Sequence, residues 1–225
     1  MELLLQLYLL AILIKGSLLC TGRILKRGVS CEEKNEIIDV HNRYRQAIAL
    51  GHVDGIPPAR NMLQMTWDEN IAKVAQQWAD QCRFQHDQRR TEKTLSSYYI
   101  GQNIAIKWWS PFEPEDGSKA DWSRHIRGWF NEVYKYPYTG FFSHNIGHFT
   151  QLIWEETHLV GCGYTYYTTG NNYTKLYVCN YGPSGNIIGQ RTYNEGNPEC
   201  SRDNSFHSRS YYGLCEIAGD QPLIC

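Results

Sequence analysis

Residues 160–181 constrain this chain more tightly than any other stretch. Two halves rich in Tyr, Thr and Val flank Gly170-Asn171, and a two-residue turn between such runs predicts a β-hairpin. A turn centred there pairs positions whose numbers sum to 341, and Cys162 and Cys179 satisfy that sum. They face each other across the ladder, close enough for a disulfide.

Disulfides belong to oxidising compartments, and the N-terminus offers a route to one. Met1–Ile14 (MELLLQLYLLAILI) is almost wholly apolar. It is shorter than the roughly 18–20 residues a membrane-crossing helix needs and reads as the core of a signal peptide, although Glu2 stands where a basic residue is usual. Small residues in Cys20-Thr21-Gly22 place cleavage after Gly22, giving a signal peptide over 1–22; cleavage after Gly16 is the alternative. The mature chain is then expected to be secreted and extracellular, with no membrane span. Residues 23–30 follow as a basic tail, or as a propeptide ended by the dibasic Lys26-Arg27.

Processing matters to the charge. The whole chain holds 22 basic and 23 acidic residues, net −1. Loss of residues 1–22 leaves the net charge unchanged, and loss of 23–27 as well takes it to −4. Neither value signals nucleic acid. A hydrophobic content of 42% with 20% charged residues excludes a disordered chain. Cleavage after Gly22 also removes Cys20 and leaves seven cysteines, at 31, 82, 162, 179, 200, 215 and 225. An odd count implies a free thiol, a bridge to another chain, or the Gly16 cleavage that keeps Cys20. Asn172-Tyr173-Thr174 is a glycosylation sequon in a polar turn.

Ser30-Cys31-Glu32-Glu33 forms a capping box, and Ile37, Val40, Tyr44 and Ile48 recur at helical spacing until Gly51. Thr66-Trp67-Asp68-Glu69 repeats the box before a stripe of Ile71, Val74, Ala75, Trp78 and Cys82. A third helix is expected over about 121–134, and strands over Ile100–Trp108 and Phe149–Trp154. Helices interleaved with strands make a mixed α/β (α+β) domain ending near 190. Residues 191–225 are polar and loop-rich and are expected to be held by at least one disulfide; Cys200–Cys215 is the pairing put forward, with the pairing among Cys200, Cys215 and Cys225 left open.

Four segments then stand out together: HNRYR at 41–45, GQNI at 101–104, GHFTQLIWEET at 147–157 and LYVCNYGPSGNI at 176–187. In this order they resemble the signature motifs of the CAP superfamily (cysteine-rich secretory, antigen 5 and pathogenesis-related 1 proteins). The resemblance covers 31–190 and is strongest to arthropod antigen-5-type venom or salivary proteins, in PPARNM, MTWDENIAKVAQQWADQC and VCNYGPSGN. It implies a three-layer α-β-α sandwich and a long-range bridge matching Cys31–Cys82. The extension departs from the simple antigen-5 pattern. It also has too few cysteines to resemble the channel-regulatory domain of the vertebrate members.

The resemblance further implies a cleft built from two histidines and two acidic residues, which map to His86, Gln102, Glu132 and His148. Two imidazoles and a carboxylate can hold zinc or another divalent metal with one position open for water. Gln102 stands where many members carry Glu, and an amide neither ionises nor acts as a base. That excludes a two-carboxylate mechanism at this constellation. A weak metal site, a structural polar cluster and catalysis stay open. A serine or cysteine protease is rejected, since nothing marks a nucleophile with its base and oxyanion hole.

Tyr134, Tyr136 and Phe141 follow the aromatic spacing linked to sterol binding in some CAP proteins; the alternative is that they pack on neighbouring elements. His41 and Arg45, at i and i+4 on one helix, are expected to make buried polar contacts, and Asn103 to satisfy backbone groups beside the cleft. The aromatic and acidic stretch WWSPFEPED at 108–116 reads as a surface loop or a receptor contact. The resulting expectation is a secreted, monomeric, non-enzymatic protein needing no cofactor. Its partner would be a host protein, an ion channel or a small lipid, and not nucleic acid. The alternatives are a metal-dependent hydrolase at His86/Glu132/His148 and a channel modulator acting through residues 191–225.

Overall fold

The computed structural model describes residues 20–220, 223 and 225; Met1–Ile14 and the Gly16 cleavage site lie outside the described residues. The hairpin forms as its turn dictates. Strands β4 (Leu159–Thr169) and β5 (Asn172–Gly182) pair antiparallel with Cys162 opposite Cys179, and those cysteines are bonded. Asn172, the sequon asparagine, opens β5 at an exposed position.

Around the hairpin the sheet grows on both sides. Strand β3 (Gly101–Trp109) pairs with β5, and strand β1 (Arg23–Arg27) pairs with β4, in the order β1-β4-β5-β3. The basic stretch at 23–27 is therefore an edge strand. Arg27 pairs with Asp80 at 3.3 Å and Lys26 with Glu33 at 3.9 Å, so the dibasic pair is held in the body of the domain.

Period-two alternation sorts the sheet into two faces. Val160, Cys162, Tyr164 and Tyr166 of β4, with Tyr177, Cys179 and Tyr181 of β5, join the large core beneath helices α1 (Cys31–Ala49) and α4 (Trp122–Phe130). Tyr167, Leu176, Val178 and Ile104 pack on the other face against Ala75, Trp78 and Ala79 of helix α2 (Glu69–Ala79). The result is the α-β-α sandwich. Gly161 and Gly163 face α2, and a Cβ at either would overlap the backbone of Ala72 or Gln76, so glycine there lets the helix lie directly on the sheet.

Local signals hold at one cap and fail at another. At α1, Ser30 Oγ accepts from the Glu33 N–H at 3.2 Å while Glu33 Oε2 accepts from the Ser30 N–H at 2.7 Å, closing the capping box. At α2 the cap is Asp68, whose side chain accepts from the Ile71 N–H; Thr66-Trp67 instead forms strand β2, parallel to β4. A short helix α3 (Arg90–Thr94) precedes β3. The third expected helix stops at Phe130 and tightens into a 3₁₀ turn over Asn131–Lys135.

Phe149–Trp154, expected as a strand, belongs largely to helix α5 (Gly147–Leu152). Phe149, Thr150, Gln151 and Leu152 are all buried, so no polar face marks the helical period. The last strands, β6 (Ser205–His207) and β7 (Cys215–Ile217), pair within the extension.

The expected Cys31–Cys82 bridge is corrected. Cys82 bonds Cys20, and Cys31 bonds Cys225. The reason is placement: Cys82, at the end of α2, packs with Cys20 and Ile24 on one face of the sheet, whereas Cys31 starts α1 on the other. Cys200–Cys215 forms as expected, and no free cysteine remains among the described residues. The extension is thereby stapled to α1, and Tyr193 Oη donates to the Pro57 carbonyl at 2.9 Å to hold it on the body. A leader cut after Gly22 would remove the partner of Cys82; a cut after Gly16 would keep it.

Candidate functional site

Two fully buried residues of α1, His41 and Arg45, anchor the segments that carry the cleft residues. His41 Nδ1 lies 2.7 Å from the Ile37 carbonyl, which accepts only, so the ring carries its proton there. His41 Nε2 then accepts from Tyr181 Oη at 2.9 Å, and Asn103 Nδ2 donates to the same hydroxyl at 3.3 Å. Burial holds His41 down to about 4, with the backbone bond to Ile37 opposing and the Arg45 charge adding to the depression. Asn103 also donates to the His148 carbonyl at 3.0 Å, which carries this buried chain to the cleft.

Arg45 spreads its guanidinium over five carbonyls, those of Leu63, Leu152, Trp154, Glu155 and Thr157, at 2.7–3.2 Å. The loop that leaves α5 is thus tied to α1. Burial lowers the Arg45 pKa to about 9, partly offset by Glu155, and the group stays charged at neutral pH.

The four expected cleft residues come together as two pairs. His86, in the turn after α2, meets Gln102 of β3: its Nδ1 lies 2.9 Å from Gln102 Oε1, which also accepts from the Asp87 N–H at 3.0 Å. Gln102 Nε2 donates in turn to Asn180 Oδ1 at 2.8 Å, directly across the β3–β5 ladder. Glu132, in the 3₁₀ turn after α4, holds His148 of α5. Oε1 accepts from His148 Nδ1 at 2.7 Å, and Oε2 accepts from the backbone N–H groups of His148 and Phe149 at 2.9 and 3.1 Å.

Burial lowers the His86 pKa, the bond to Gln102 opposes it, and the charges of Arg90 and His148 push it further down. Both rings donate from Nδ1, so both present an Nε2 lone pair. Glu132 is spent on orienting His148 and does not stand beside the imidazoles as a third ligand. Among the described residues no three His, Cys, Asp or Glu side chains converge to hold a metal ion. The donor set is two imidazoles, short of the three protein ligands of a catalytic zinc site.

The aromatic triad does not form one surface. Tyr136 is buried, edge-on to Tyr138 and Phe149, while Tyr134 is almost fully exposed and Phe141 lies under the Arg191 guanidinium at 5.6 Å. Sequence reasoning missed Asn180 and Tyr181, both inside the LYVCNYGPSGNI segment. The register of β5 against β3, Asn180 opposite Gln102, is the signal that finds them.

Against known proteins, the profile of the cysteine-rich secretory protein family matches residues 38–181. The chain belongs to the CAP family. This CAP protein is 39% identical over 204 residues to salivary antigen-5 of Dipetalogaster maximus, spanning 89% of the chain and 77% of that protein. It is 41% identical over 186 residues to venom allergen 5.02 of Dolichovespula maculata, spanning 77% and 82%. With venom allergen 5 of Tityus serrulatus it shares 39% over 212 residues, 86% of the chain but half of that longer protein.

Among solved structures it superimposes on BmVAL-1 with a TM-score of 0.72 and 25% identity, over 88% of this chain and 98% of that one. NaASP2, solved with Zn²⁺, gives a TM-score of 0.64 at 28% identity, over 84% and 97%. Among the described residues no helix of this CAP protein is long and apolar enough to cross a membrane, and its four disulfides suit an oxidising compartment.

Proposed function

We propose that this CAP protein is a secreted, non-enzymatic binding protein of the venom or salivary antigen-5 type, acting on a host target. One observation carries the reading: the cleft's remaining carboxylate, Glu132, is consumed by three hydrogen bonds to the His148 ring and the α5 backbone. Gln102 cannot ionise, so the cleft lacks the second carboxylate that a two-carboxylate acid–base mechanism needs. The names of its relatives support a venom or salivary origin. Family membership by itself fixes no activity. Burial of Tyr136 favours a macromolecular target over a sterol held by the Tyr134–Phe141 loop.

A second reading has its own observation. The two Nε2 lone pairs favour a weak divalent-metal site at His86 and His148, with Glu132 and Gln102 as orienting groups. Calorimetric zinc titration of wild type against His86→Ala/His148→Ala, run beside ester and peptide hydrolysis assays, separates the possibilities. Binding lost in the variant with no turnover in either protein supports a metal-binding, non-enzymatic cleft. Equal zinc binding by both removes the metal. Hydrolysis by wild type that is absent from the folded variant overturns the non-enzymatic reading.

A further inference from the structure

The loop after β3 is built as a rigid frame around exposed aromatic rings. Lys175, fully buried on β5, lies over Trp109 at 5.1 Å and Tyr166 at 5.8 Å, donates to the Lys119 carbonyl at 2.7 Å and pairs with Asp116 at 2.8 Å. Tyr166 Oη donates to Glu113 at 2.8 Å, and Pro114 and Asp116 accept the backbone N–H groups of Gly117 and Lys119. The loop is thus pinned at both ends and in the middle.

On this frame Trp108 is 67% and Phe112 80% exposed, and among the described residues neither ring meets a cation or another ring. Glu115 is exposed and, among the described residues, makes no hydrogen bond or ion pair. These groups border an open depression of about 650 Å³ that also includes Lys107, Glu113 and Asp116. Three carboxylates against Lys107 and the buried Lys175 leave it net negative.

Tryptophan is costly to leave in water, and a pre-ordered loop binds without an ordering penalty. Aromatic faces beside an unpaired carboxylate match the flat face and charge of a guanidinium, or an ammonium. The same carboxylates repel phosphate and anionic lipid. Lys107 already makes a contact of this kind within the chain, its ammonium lying over the Trp109 ring at 4.7 Å.

We propose that the Trp108/Phe112/Glu115 depression is the docking site for a basic, Arg- or Lys-bearing segment of a partner protein. The proposal rests on the binding-protein reading above and gives that unknown target its chemistry.

The test is fluorescence-anisotropy titration of a labelled hexa-arginine peptide, with hexa-glutamate as control, against the full secreted chain. Wild type is expected to bind hexa-arginine and not hexa-glutamate. Trp108→Ala is expected to weaken binding about tenfold and Glu115→Gln several-fold, while Tyr212→Ala, removing an equally exposed ring elsewhere, leaves it unchanged. All three side chains are exposed, and thermal melts confirm that the variants fold. No binding by wild type overturns the proposal, as does equal binding by Trp108→Ala and wild type, or displacement by tetramethylammonium with no gain from peptide length. Hydrolysis at the cleft would overturn the non-enzymatic reading and leave this titration untouched, so the two failures are distinguishable.

Discussion

Glu132 grips His148 twice, accepting from its ring through one carboxylate oxygen and from its backbone through the other. The Phe149 N–H adds a third bond, so one side chain defines both the imidazole orientation and the first turn of α5. Glu132→Ala leaves two backbone donors and a ring donor without their acceptor. The expected loss is about 2 kcal/mol of stability at pH 7, read as a shift of the urea midpoint at constant slope.

Arg45 is the larger structural commitment. Lysine keeps the charge but brings three donors to five carbonyls, and it cannot fan them in one plane. Arg45→Lys is expected to cost about 3 kcal/mol, measured by chemical denaturation. A loss under about 1 kcal/mol would contradict the carbonyl fan.

Acid stability follows from His41. The unfolded chain protonates this ring near its ordinary 6.5, and the native state refuses the proton until about pH 4. As pH falls through that window the unfolded state binds more protons, so stability falls and the loss is complete below about 4. The loss attributable to His41 is about 3 kcal/mol. His125, held down to about 4 chiefly by burial, titrates in the same window. His41→Gln is expected to flatten, without abolishing, the decline in unfolding free energy between pH 6.5 and 4.

The Cys20–Cys82 bridge bears on where any leader could be cut. Because Cys20 bonds Cys82 across 62 residues, a chain exported with removal of a leader is expected to start before Cys20, at Ser17 for the Gly16 cut. N-terminal sequencing decides it, and a start at Arg23 would contradict the bridge. Cys20→Ser is expected to cost about 4 kcal/mol on the loop-entropy model.

What the sequence disclosed depended on how local each cause is. The hairpin register at Cys162 and Cys179 follows from one turn, and the Ser30 cap from four residues, so both were legible. Cys31 and Cys82 were not, because pairing depends on which face of the sheet each helix covers, a tertiary fact. Phe149–Trp154 misled because burial on all sides removes the polar face that marks helical period. The cleft residues were located through the family resemblance, and their roles were not: only the distances show Glu132 serving His148 as its orienting partner. The sign of the Gln102 substitution, by contrast, was plain from its chemistry alone.

The most direct test of a non-enzymatic cleft uses Glu132→Gln, which removes the last carboxylate while keeping its shape. Wild type and this variant, both shown to be folded, would be incubated with a peptide and ester mixture, with and without added zinc, and the products read by mass spectrometry. The account predicts identical profiles, indistinguishable from the protein-free blank. A product formed by wild type and missing from Glu132→Gln would contradict it.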